Sequence, residues 1–136
     1  MNTGYQPTAI WLLSSQLDRD EIIDFKKELS VTPNIDYSVV INEKEILCKL
    51  FFSVSFKIED QEVATMSCTF GGSFNVIGQP KLSTTDFANV NAPSIIFPFI
   101  REHVASTAVK AGLGPLILPP VNFVDFALKK KKSSNQ

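Results

Sequence analysis

The run ILCKLFFSVSFKI, residues 46–58, decides the fold. Its even positions are Ile46, Cys48, Leu50, Phe52, Val54, Phe56 and Ile58, while its odd positions include Lys49, Ser53, Ser55 and Lys57. Successive side chains of an extended chain point to opposite faces, so this alternation writes a long strand with one buried face. EVATMSCTF, 62–70, repeats the pattern, with Ala64, Met66, Cys68 and Phe70 set against Thr65, Ser67 and Thr69. Only Glu59-Asp60-Gln61 lies between the two runs, which predicts a hairpin. Gly71-Gly72 predicts a bulge or bend, after which Phe74, Val76 and Ile77 resume the strand until Gly78-Gln79-Pro80 ends it.

Upstream, Ile35, Tyr37, Val39 and Ile41 alternate with Asp36, Ser38 and Val40, a third strand turned by residues 42–45. Residues 9–17 form a candidate fourth. LDRDEIIDFKKEL, 17–29, fits helix and strand alike. Downstream of Pro80 the period changes. Over residues 92–112, Ile96, Ile100, Val104 and Ala108 recur at helical spacing, with Ser94 as N-cap, Pro98 near the first turn and Gly112 as the stop. Its far end is small (Ala105, Ser106, Thr107, Ala108, Ala111), which permits close approach of a second copy. Ile96, Ile100, Val104 and Ala108 are therefore the candidate oligomer interface. VNFVDFALKKKK opens a last, short helix, with Asn122 as N-cap and Val121 and Phe126 at the hydrophobic-staple positions. The order, strands first and helices last, is α+β: a four-stranded antiparallel sheet with a long and a short C-terminal helix on one side.

The 136 residues predict a single domain, 1–136, with 129–136 a basic, flexible tail. Composition is ordinary for a folded protein, 44% apolar and 20% charged, except for eleven Phe against two Tyr and one Trp. Such a surplus builds either a dense core or a surface awaiting a partner. Net charge is −1, and taking away the four cations Lys129–Lys132 leaves −5, so the body is a poor nucleic-acid binder. No apolar run reaches membrane-helix length, and AIWLL, 9–13, has no basic residue ahead of it, against a signal peptide and for a cytoplasmic location. Cys48 and Cys68 read as reduced core thiols. No phosphate-loop, dinucleotide, zinc-protease or nucleophile-elbow motif is present. The lone histidine, His103, has no metal-ligand partners at useful spacing. Catalytic residues, metals and cofactors are thus all expected to be none.

What remains is GPLILPPVNF, 114–123. Three prolines hold Leu116, Ile117, Leu118, Val121 and Phe123 out of regular structure. Together with Phe97-Pro98-Phe99, Arg101-Glu102, Gly112 and the Gly71-Gly72 step before Phe74, this stretch resembles the protein-export chaperone family SecB, over residues 46–128. The resemblance implies the four-stranded sheet with two helices just derived and a homo-oligomer assembled as a dimer of dimers. It also implies an ATP-independent holdase that keeps non-native polypeptides unfolded in apolar grooves and passes them to the motor SecA. The client-binding candidates are Leu116, Ile117, Leu118, Val121, Phe123 and Phe126. Two departures count against SecA: the tail KKKKSSNQ is basic, and Thr65, Ser67 and Thr69 offer no acid. A SecB-like adaptor dedicated to one client, such as an antitoxin, is the alternative.

Overall fold

A computed structural model describes residues 3–134, with side chains described for 3–131. Four strands, β1 (Gly4–Arg19), β2 (Ser30–Ile41), β3 (Glu45–Ile58) and β4 (Gln61–Ile77), form one antiparallel sheet in the order β1-β4-β3-β2. β2, β3 and β4 are joined as successive hairpins, and β1 returns to lie beside β4, a Greek key. The β3–β4 turn consists of Glu59 (φ 51°) and Asp60 (φ 63°) between the paired Ile58 and Gln61. Positive φ at both central residues gives the turn whose twist matches the flanking strands, here without glycine.

The even side chains of β3, from Ile46 to Ile58, are all buried, as are Ala64, Met66, Cys68, Phe70 and Phe74 of β4. The ambiguous segment 17–29 is neither helix nor strand beyond Arg19. It crosses the end of the sheet and is pinned there by Lys27–Glu59 (3.3 Å) and by the Asp20 N–H donating to the Val63 carbonyl (2.8 Å).

The glycine pair makes no bulge between β4 and β3, whose register runs unbroken through both residues. The irregularities lie across the ladder in β1, between Pro7 and Ala9 and between Leu12 and Ser14. The glycines serve close approach instead. A Cβ on Gly71 would stand 2.8 Å from the Trp11 ring, and one on Gly72 would stand 2.8 Å from Ile96 Cδ1. One glycine therefore seats Trp11 on the open face, and the other seats the long helix on the covered face.

Helical structure begins earlier than expected. α1 (Thr84–Asp86), capped by Ser83 Oγ accepting from the Asp86 N–H (3.1 Å), leads through a π-helical turn (Phe87–Asn91) into α2 (Ala92–Lys110). Ser94 is therefore not a cap. Its hydroxyl donates back to the Val90 carbonyl (2.6 Å), and Pro98 sits inside the helix. α3 (Phe123–Ser134) is capped as expected, Asn122 Oδ1 accepting from Val124 N–H (3.0 Å) and Asp125 N–H (3.3 Å). It runs on through residues 129–134, so those lysines are helical and not a loose tail. Residues 135 and 136 of that expected tail lie outside the described residues.

The long α2 and the short α3 pack on one face of the sheet. Ile96, Ile100, Val104 and Ala108 are each fully buried there, so the expectation that they form a subunit interface is corrected. Their surface is consumed by β3 and β4 within the single chain. The phenylalanine surplus goes mostly the same way: Phe52, Phe56, Phe70, Phe74, Phe87, Phe97 and Phe123 are buried. Tyr5 stacks on Phe87 with centroids 4.0 Å apart, and Phe123 meets Phe97 (6.1 Å) and Tyr37 (6.3 Å) edge-on.

Candidate client-binding groove

The six client-binding candidates part company. Phe123 and Leu118 are core residues, 3% and 6% exposed, and cannot serve a client without unfolding the monomer. Leu116 and Val121 are half-buried against that core. Ile117 projects from the proline loop, 80% exposed. Phe126 alone lines an open groove.

That groove, about 1170 Å³, runs between the outer edge of β2, the π-helical turn and α3. Its apolar lining comes from Ile35, Val90, Val124, Phe126 and Leu128; its rim carries Asn34, Asp36, Asp86, Asn89 and Lys129–Lys131. Val124 and Leu128 are more than half exposed, an unusual state for two aliphatic residues a helical turn apart. Ile35, Val90, Val124, Leu128 and Lys130 were not among the candidates. The i, i+4 spacing of Val124 and Leu128 was the signal available for them.

Lys130 reaches from α3 to β2. Its ammonium pairs with Asp36 Oδ1 at 2.8 Å, donates to the Tyr37 carbonyl, and lies 4.0 Å from the Tyr37 ring centroid. The Asp36 carboxyl is held below its ordinary pKa, chiefly by the hydrogen bond from Lys130. The Tyr37 ring is buried and its phenol, bonded to Asn89 Oδ1 (2.9 Å), is raised in pKa by burial. Among the described residues no group of three or more His, Cys, Asp and Glu is placed to hold a metal. His103 Nε2 instead bonds Ser15 Oγ at 2.8 Å, joining α2 to β1.

Two further surfaces stand out. β1 is a long edge strand bearing exposed Trp11, Leu12 and Leu13, and α2 turns Phe99 and Val109 outward. The open face of the sheet carries Lys49, Lys57, Thr65, Ser67 and Thr69, together with three acids: Asp18 opposite Thr65, Asp36 opposite Phe51, and Glu62, which accepts from Ser55 Oγ at 2.8 Å.

A Greek-key sheet backed by a long and a short helix is the SecB-like architecture. The SecB-like chaperone of Mycobacterium tuberculosis, solved with a ChAD peptide from an antitoxin, matches 86% of this chain and 90% of its own with a TM-score of 0.74 at 19% identity. The chain belongs to the SecB family: residues 22–134 match the family model described as preprotein translocase subunit SecB. Protein-export protein SecB of Rickettsia massiliae is 31% identical over 78% of this chain and 72% of its own. The SecB of Thiobacillus denitrificans is 28% identical over 73% of this chain, and that of Nitrosospira multiformis 32% over 60%. The matched parts span 65% and 52% of those two relatives. No described helix is long and apolar enough to cross a membrane.

Proposed function

We propose that this chain is an ATP-independent holdase that binds non-native polypeptides in the groove between β2 and α3. The exposed pair Val124 and Leu128, facing Ile35 across an open furrow, carries this reading. Unfolded chains present any sequence, so their receptor must be apolar and tolerant. Each large side chain buried in such a furrow is worth about 1.5–3 kcal/mol, and several weak contacts repeated around an oligomer add up through avidity. Family membership supports the same chemistry, and nothing in it calls for a catalyst or cofactor. Ile117 on its proline-stiffened loop is a second client contact, pre-set and so cheap to immobilise.

The working form in this reading is a cytoplasmic homo-oligomer, a dimer of dimers. Its interface is carried by the β1 edge with Trp11, Leu12 and Leu13 and by the outer side of α2 with Phe99. An edge strand this long and apolar calls for a partner. Transfer to SecA is left out of the proposal, because Thr65, Ser67 and Thr69 of β4 carry no acid and the chain beyond residue 128 is basic.

The fold likeness to a chaperone solved with an antitoxin peptide favours a second reading, an adaptor dedicated to one client. Delayed refolding of an unrelated denatured protein by the assembled chain supports the holdase. No delay, with tight binding to one cellular protein, supports the adaptor. Neither behaviour would overturn both.

A further inference from the structure

The outer edge of β2 is occupied by two side chains that imitate a neighbouring strand. In an antiparallel ladder, the N–H and C=O of one residue point the same way, and the direction alternates along the strand. At Tyr37 both groups point away from β3. The N–H donates to Asp36 Oδ1 (2.8 Å) and the C=O accepts from the Lys130 ammonium. Ile35 and Val39 share this outward parity. So does Pro33, which has no N–H to leave unpaired on an exposed edge. The anionic oxygen of Asp36 and the cationic N–H of Lys130, themselves 2.8 Å apart, thus stand where the C=O and N–H of an added strand would stand. This edge is also one wall of the apolar groove.

Building on the holdase reading, we infer that clients bind by strand addition to β2, and that Lys130 is a plug an extended client segment displaces. The occupant is an extended stretch of non-native polypeptide with apolar residues on one face. Its main-chain N–H replaces the Lys130 ammonium on the Tyr37 carbonyl, and its C=O replaces the Asp36 carboxylate on the Tyr37 N–H. Its side chains on the helix side meet Ile35, Val124, Phe126 and Leu128. Main-chain hydrogen bonding is available to any sequence, so it supplies affinity without selectivity, while the apolar wall selects for greasy segments. With no client present, the plug does what edge lysines do in other sheets and blocks unwanted pairing. Lysine suits the role because its flexible stem lets the ammonium swing into solvent without moving α3.

The test uses the full chain and three versions of one extended apolar peptide: unmodified, and N-methylated at alternate residues on one parity or on the other. Strand addition requires one methylated version to lose binding at least about tenfold while the other keeps it, because only one peptide edge faces β2. Lys130→Met, which keeps the stem and removes the donor, is expected to bind the unmodified peptide about tenfold more tightly, the worth of one charge-assisted hydrogen bond no longer displaced. Lys130→Arg, which restores a donor, should not. Circular dichroism of each variant establishes that it is folded. Equal binding by both methylated peptides, or unchanged affinity in Lys130→Met, overturns strand addition and leaves the groove reading standing. Failure of the unmodified peptide to bind either protein overturns the groove reading and this inference with it.

Discussion

Gly72 and Ile96 meet where the long helix crosses the sheet, so closely that a methyl group on Gly72 would stand 2.8 Å from Ile96 Cδ1. Ile96 is fully buried and has nowhere to retreat. Gly72→Ala is therefore expected to lower stability by about 1–3 kcal/mol, the usual cost of overpacking a well-filled core. Gly71→Ala meets Trp11, which is 38% exposed and free to swing outward, so its cost is expected to be the smaller of the two. Urea denaturation of both variants checks the order. A reversed order would mean that α2 is not seated as described.

The Asp36–Lys130 pair makes stability depend on acid. Asp36 has a folded pKa below its ordinary value, so its contribution is complete above the unfolded pKa of about 3.9 and is lost as pH falls through the folded pKa. The pair is well exposed, so the effect is small, on the order of 0.5 kcal/mol. Thermal melts from pH 7 down to pH 2 should show Asp36→Asn slightly less stable than the parent at neutral pH, with the gap closing at the acid end. A gap that widened with acid would have the wrong sign.

Cys48 and Cys68 lie on the covered face, and burial pushes their thiols up to about 12 and about 11. Thiolate is the reactive form, so at pH 8 both should react with a disulfide reagent far more slowly than free cysteine does. Labelling should speed up with urea in step with loss of fold. Rapid labelling of the native protein would place one of them at the surface.

Asn122 holds the first turn of α3 through two main-chain N–H groups. Asn122→Ala is expected to cost about 1 kcal/mol. Amide exchange should rise first along α3, because a short helix depends on its cap and its docking more than on its own propensity. Uniform loss of protection across the sheet would show instead that α3 and the sheet unfold as one unit.

Much of the fold was legible because the strands alternate so cleanly. Ile46 to Ile58 name their face without help from tertiary structure, and Asn122 names its helix. Two kinds of fact were not legible. Periodicity says which face is apolar but not what covers it, and so Ile96, Ile100, Val104 and Ala108 read as an interface when β3 and β4 already bury them. The same limit applied to GPLILPPVNF, where Leu118 points inward and Ile117 outward with only chain direction to separate them. Local rules also misled where contacts at long range decide. A glycine pair reads as a bulge until Trp11 and Ile96 are seen pressing on it. Four lysines read as a solvated tail until Lys130 is found on Asp36.

The groove between β2 and α3 is tested most directly by Val124→Ser/Leu128→Ser. Both residues are more than half exposed, so the change should leave melting temperature and oligomeric state nearly unaltered. The measurement is the concentration of chaperone that halves the refolding rate of an unrelated denatured protein. It is expected to rise about tenfold or more in the double variant, from the loss of two apolar contacts. An unchanged concentration in a folded, normally assembled variant would mean that clients are held elsewhere.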